Sequence, residues 1–275
     1  MVRSVLITGC SSGIGEYCAK ALHVNKKYRV FATARKEDDV ARLQQEGLWA
    51  CQLDLDDPKS IQEALDKVLK ETGGTLDAVF NNGAYGQPGA VEDLSREALR
   101  AQFETNVFGT QELTNKVLKV MRAQGHGRII HNSSVLGFVA MSFRGAYNAS
   151  KFALEGLSDT LRLELAGSNI HVILIEPGPI RSRFRANALK KFKQNIDTTK
   201  STHEKEYNQT LARLKGSKDA AFTLGPEAVL EALLYAIEKE KPRHRYHVTV
   251  PTKVLWYLKR LLPVHWLDVV LRKVG

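Results

Sequence analysis

Short apolar runs alternate with longer stretches of helical spacing over the first 176 residues. The runs are VLIT (5–8), RVFAT (29–33), WACQL (49–53), LDAVF (76–80), RIIHN (128–132) and HVILIE (171–176). Turn residues bound each run, and enough chain for a helix separates it from the next. A run that is apolar at odd and even positions alike has no solvent face. It suits a strand covered by helices on both sides. The pattern predicts an α/β fold, a doubly wound parallel sheet in a single domain over residues 1–275. Two regions break the rhythm. Residues 181–224 are polar, basic and too long for an ordinary connection. Residues 252–272 form an apolar and basic tail.

Composition changes this picture little. The hydrophobic share of 43% and charged share of 25% are those of a soluble globular chain. The formal charge of +10 fits a basic surface that attracts an anionic cofactor. It would also fit a polyanion, but no nucleic-acid motif accompanies it. Cys10, Cys18 and Cys51 have neither metal-ligand nor disulfide spacing. A reducing cytoplasmic setting and no bound metal are expected. The opening MVRSVLITG is too short for a signal peptide, and no apolar run is long enough to span a membrane.

The first strand runs into Thr8-Gly9-Cys10-Ser11-Ser12-Gly13-Ile14-Gly15, where a helical pattern begins. Glycines there allow a tight turn and close approach of a phosphate, and the helix N-terminus offers free N–H groups. The second strand ends in Arg35-Lys36 rather than an acid. A carboxylate would bind a ribose 2′-hydroxyl, whereas a guanidinium can grip a 2′-phosphate. NADP(H) is therefore expected over NAD(H), with Arg35 as its reader; the alternative is a solvated helix-start Arg35, with the preference resting on Lys36 or on nothing. Asp54 can accept from an adenine amino group, and Asp56, Asp57 and Pro58 read as a helix start.

Tyr147 and Lys151 stand four apart, on one helix face. A nearby ammonium is expected to lower the phenol from about 10 toward working pH. Tyr147 then serves as general acid or base. Ser134 follows the fifth strand, at the sheet edge where ligands bind. Its hydroxyl can hold a substrate oxygen.

Taken together, these positions resemble the short-chain dehydrogenase/reductase family in its single-domain branch. The matching residues are Thr8–Gly15, Asp54, Asn81-Asn82, Asn106, Ser134, Tyr147, Lys151 and Pro177-Gly178. The resemblance implies an acid/base Tyr147, a Lys151 that holds the nicotinamide ribose, and a Ser134 that orients the carbonyl. Asn106 resembles the residue that steadies a relay water. Cofactor contacts are implied for Gly9, Ser11, Ser12, Gly13, Ile14, Gly15, Arg35, Lys36, Asp54, Leu55, Asn81 and Gly83. The turn Pro177-Gly178-Pro179-Ile180, with Ser182, resembles the one that holds the carboxamide. One departure is Asn81-Asn82-Gly83-Ala84, where the family usually has Asn-Asn-Ala-Gly.

Stretches such as TGCSSGIG and ASKFALEGLSD resemble hydroxysteroid and retinol dehydrogenase-like members and bacterial NADP-dependent aldehyde reductases. They imply a small apolar carbonyl or alcohol substrate. The candidate pocket wall is Tyr85, Phe138, Met141, Phe143 and Phe184, each of which can equally be core packing. Residues 181–224 fall at the family's substrate loop. Arg181, Arg183, Arg185, Lys190 and Lys191 there are a solvated face or a second hold on the cofactor phosphate. The tail reads as an amphipathic helix pair broken at Pro263. It covers the pocket, forms an interface or makes peripheral membrane contact; covering is the favoured reading. A homodimer or homotetramer on the Asn106 and Tyr147 helices is implied. Two other functions stand beside the enzyme: a catalytically idle NADP-binding regulator, and a peripheral membrane protein that works through its tail.

Overall fold

A computed structural model describes residues 2–216 and 219–274. Ser217 and Lys218 of the expected substrate loop, and the two terminal residues, lie outside the described residues. The apolar runs form β1 (Arg3–Ile7), β2 (Tyr28–Ala34), β3 (Trp49–Gln52), β4 (Ala78–Asn81), β5 (Gly127–Asn132) and β6 (Ile170–Glu176). A seventh strand, β7 (Arg245–His247), joins them. The sheet order is β3-β2-β1-β4-β5-β6-β7, and all pairs are parallel. Every strand therefore ends on the same edge.

Alternate side chains enter opposite layers, as the two-sided runs require. Val5, Ile7, Val30 and Ala32 face α1 (Gly13–Val24), α2 (Glu37–Gln45) and α9 (Glu227–Glu238), where Leu22, Leu43 and Leu233 are buried. Leu6, Phe31, Val79 and Ile129 face the other way, toward α3 (Pro58–Thr72) and α5 (Thr110–Gln124). Asp57 caps α3 by accepting from Lys59 N at 2.9 Å, with Pro58 behind it. All three cysteines are free and buried, and burial pushes their thiols up.

Two parts depart from the sequence pattern. Among the described residues, 181–224 hold two helices, α7 (Phe184–Asn195) and α8 (Glu204–Lys215). A few apolar residues hold them down: Ala188, Phe192, Tyr207 and Leu214 pack on Ala90, Leu94 and Ala146. Only one narrow stripe is buried, so the polar majority hides the helical period. The tail forms α10 (Val250–Leu261) and α11 (Val264–Val274), broken at Pro263. Its inner side packs with Phe138, Val139 and Met141.

Candidate active site

The shared strand edge gathers the ends of β1, β4, β5 and β6. Beyond β1, Cys10 N donates to Thr33 O at 2.8 Å and turns the chain into the glycine-rich loop. Gly9 and Gly13 have φ of 72° and 62°, which L side chains avoid. A Cβ on Gly15 would lie 2.4 Å from Gly9 O, and one on Gly13 would lie 2.9 Å from Ser182 Cβ. The loop is thus a cradle of bare backbone at the head of α1. Ser12 occupies the N-cap of α1 without a side-chain cap hydrogen bond. Half-buried Ser11 and Ile14 flank it. These features fit a dinucleotide phosphate.

Asn82 locks this loop to the neighbouring strands. Its Nδ2 donates to Thr8 O at 2.9 Å, and its Oδ1 accepts from Asn132 Nδ2 at 2.9 Å. Thr8 Oγ1 accepts from both Asn82 N and Gly83 N, at 2.9 and 2.8 Å. Gly83 lies against Gly9, where a Cβ would come 2.7 Å from Gly83 Cα. A glycine at 83 suits that crowding. Asn81, expected at the cofactor, instead aims its side chain below the edge. Its Nδ2 donates to Thr114 Oγ1 at 3.0 Å and lies 3.2 Å from His131 Nδ1. Strand alternation explains this, because Asn81 is still within β4.

Arg35 and Lys36 are exposed just past β2, and Gln52 Nε2 donates to Arg35 O at 3.0 Å. Asp54 Oδ1 accepts from Asp56 N at 3.1 Å within a turn, and Leu55 is buried behind it. Pro177 O accepts from Val135 N at 2.9 Å, and Gly178 lies against Thr249 and Thr252. Ile180 bridges to Leu224, and Ser182 touches Gly13.

The helix α6 (Gly145–Glu164) presents Tyr147, Lys151 and Glu155 on one face, at spacings of four. Opposite them lie Asn132, Ser133 and Ser134. Ser134 stands beside the Tyr147 phenol, and its Oγ accepts from Leu136 N at 3.1 Å. Lys151 Nζ donates to Asn132 O at 2.6 Å and lies 5.8 Å from the Tyr147 ring centre. Ser133 meets Glu155. Burial pulls the Lys151 ammonium down to about 8, opposed by Glu155. Burial pushes the Tyr147 phenol up to about 12, against a lowering by Ser134. The expectation that Lys151 would bring this phenol below 10 is corrected: loss of water from the phenolate outweighs an ammonium directed at Asn132.

Asn106 lies in a π-helical turn, Glu104–Gly109, that joins α4 (Arg96–Phe103) to α5. Its side chain clamps Tyr85, accepting from its N at 3.1 Å and donating to its O at 2.9 Å. Its Nδ2 also donates to Ser150 Oγ at 3.1 Å.

Phe184 lies edge-on to Tyr147 with ring centres 5.2 Å apart, and Gly86 leaves room for it. Phe138 and Met141 pack in the same cluster as Tyr147. Lys191 sits over the Tyr85 ring at 4.9 Å. Phe143 is placed elsewhere. Its ring packs on His203 and Tyr207 at 5.4 and 5.9 Å, so it supports α8 and does not line the wall beside Tyr147. Arg181 pairs with Asp219 at 2.7 Å on the surface.

Sequence reasoning gave Asn82 no role of its own and missed Asn132 and a buried ionic cluster behind Lys151. In that cluster Arg245 meets Glu155 and Glu176, and reaches Asp159 at 2.6 Å. Charged residues at apolar spacing on α6 were its available signal.

A family model described as short chain dehydrogenase matches residues 3–193. The chain is 43% identical to the uncharacterized oxidoreductase YbbO of Escherichia coli, over 99% of this chain and 95% of that one. It is 35% identical to the Homo sapiens 17-beta-hydroxysteroid dehydrogenase type 1, over 90% of this chain and 78% of that one. Among solved structures, a serine dehydrogenase complexed with NADP+ is similar, with a TM-score of 0.75 and 25% identity over 90% of this chain and 95% of that one. Another neighbour is a complex with NAD.

Proposed function

The chain belongs to the short-chain dehydrogenase family, and from that premise we propose that it is an NADP(H)-dependent reductase of apolar aldehydes or ketones with Tyr147 as proton donor. The observation that carries this reading is the convergence of Tyr147, Ser134 and Lys151 at the edge where the glycine cradle lies.

A bound nicotinamide supplies or removes the hydride. The chain's own residues do the rest. Ser11, Ser12 and Ile14 of the cradle, with Gly83 behind it, hold the pyrophosphate side. Arg35 takes the 2′-phosphate, Asp54 and Leu55 meet the adenine, and Pro177–Ile180 with Ser182 take the carboxamide. Ser134 orients the substrate oxygen. Tyr147 gives that oxygen its phenolic proton in reduction and takes a proton back in oxidation. A phenol at about 12 is intact at neutral pH, so reduction starts from the right protonation state. Lys151, at about 8, is mostly an ammonium at pH 7 and stabilises the phenolate left behind. Asn106 steadies the relay water through its main chain, its side-chain amide being committed to Tyr85 and Ser150.

Tyr85, Phe138, Met141 and Phe184 favour an apolar carbonyl, and the similarity to a hydroxysteroid dehydrogenase points the same way. The exposed Phe108, Phe152, Leu157 and Leu163 on the π turn and α6 support a homodimer or homotetramer built on those elements.

The test is NADPH consumption by purified protein over a panel of aliphatic aldehydes, ketosteroids and retinal, with NADH in parallel. Turnover with NADPH is expected on at least one of these. Confirmed NADPH binding with no turnover on any would replace the reading with that of an idle cofactor-binding regulator.

A further inference from the structure

Helices α10 and α11 are anchored on one side only. Thr252, Leu255 and Leu267 are buried, and Trp256 meets Phe138 edge-on at 5.2 Å. The outer side of α10 carries Val250, Val254, Tyr257 and Leu261, at spacings of four, three and four. That is one helical stripe. These four are 56%, 50%, 64% and 76% exposed, far from the buried inner residues. Val264, Trp266 and Val269 extend the apolar surface across Pro263. Single exposed apolar residues are ordinary, but a contiguous set on one hairpin marks an interaction surface.

Charge selects the occupant. Residues 250–274 contain Lys253, Lys259, Arg260, Arg272 and Lys273 against a single acid, Asp268. All five are exposed; Lys259 also donates inward to Phe138 O and Arg260 lies over the Trp256 ring, which leaves Lys253, Arg272 and Lys273 for the outer face. A second copy seated symmetrically on this face would set those cations against themselves. A negatively charged bilayer surface meets both properties. Its acyl boundary takes the stripe, its headgroups take the cations, and Tyr257 and Trp266 suit the boundary between them. Among the described residues no helix is long and apolar enough to cross a membrane, so the contact lies in the surface plane.

We propose that the outer face of α10 and α11 docks on anionic lipid bilayers. Docking does not depend on the reaction assigned above. Its consequence for substrate rests on that reading: the same helices pack inwardly on Phe138 and Met141, beside Tyr147. An apolar carbonyl partitioned in lipid would then meet the enzyme at its own pocket wall.

The experiment is flotation of the full chain with vesicles of phosphatidylcholine, with and without about one-third phosphatidylglycerol. The full chain is expected to float with the anionic vesicles, sediment with the neutral ones and be released by high salt. The Val254→Asp/Tyr257→Asp variant, with unchanged circular dichroism and NADPH turnover, is expected to lose at least tenfold in partitioning. Lys253→Glu/Lys273→Glu is expected to lose the preference for anionic lipid. Failure of the full chain to float, or equal flotation of the apolar variant, would overturn the proposal. So would a drop in oligomeric state of the apolar variant without vesicles, which would assign the face to a second copy.

Discussion

Glu155 of α6 and Arg245 of β7 form an ion pair one helical turn beyond Lys151, and Glu176 at the end of β6 closes it from the other side. His247 Nε2 lies 2.8 Å from Glu176, which has no exposed surface. Burial and Glu176 push the Glu155 carboxyl up, while Arg245 and Ser133 draw it back. The charge of Glu155 in turn holds up the buried Lys151 ammonium.

Glu155→Gln removes that support, so Lys151 should fall below about 8. Activity that needs the ammonium is lost as pH rises through this value. The alkaline limb of the pH–rate profile is therefore expected to move to lower pH. A rate loss with the limb unmoved would make Glu155 a packing residue only. Breaking a buried pair costs on the order of 3–5 kcal/mol, and the low end is expected because Arg245 keeps Glu176 and Asp159.

Tyr147→Phe should lower the catalytic rate by roughly 10²–10⁴-fold, the usual scale of one positioned proton donor. NADPH affinity, read by fluorescence titration, should change little. A variant that keeps most of its rate would remove Tyr147 from the proton transfer.

Arg35→Asp places a carboxylate where a 2′-phosphate is expected. The ratio of kcat/KM for NADPH over NADH should drop by about 10–100-fold, the equivalent of one charge-assisted hydrogen bond at about 1.5–3 kcal/mol. An unchanged ratio would pass the role to Lys36.

His131 links folding to pH. It is buried beneath the site, and burial with nearby Lys151 pulls its imidazole down to about 3. An unfolded histidine takes its proton near 6.5 and the folded one does not until about 3. Between those values the unfolded state binds more protons, so stability falls as pH falls. The slope reaches about 1.4 kcal/mol per pH unit, and the loss from pH 7 to 5 comes to about 2 kcal/mol. Urea unfolding at pH 7 and pH 5 should show this loss in the parent and much less of it in His131→Gln. Equal losses would exclude His131 as the cause.

Six of the strands and the glycine-rich turn were legible because both are local. The strands announce themselves by two-sided apolarity, and the turn by glycines after the first of them. Tyr147 and Lys151 were legible through helix spacing. What stayed hidden depends on partners distant in sequence. The three residues of β7 look like loop because the charge of Arg245 is compensated by Glu155 and Glu176, both distant in sequence. Asn81 and Asn82 are adjacent, and only the end of β4 determines which of them faces the edge. The upward shift of the Tyr147 phenol is not legible because charge proximity shows in a sequence and dehydration does not.

The sheet order has a consequence for synthesis. The first strand made, β1, lies mid-sheet between β2 and β4, and the last, β7, lies at an edge against β6. A ribosome that has extruded only the first half of the chain has delivered the phosphate cradle without Tyr147 or Lys151. The ion pairs behind Lys151 wait for Arg245, ninety residues beyond Glu155. Such long-range closures are slow to form. Closure of the ionic cluster behind Lys151 is thus a late event in the life of each molecule, reached only after β7 has docked.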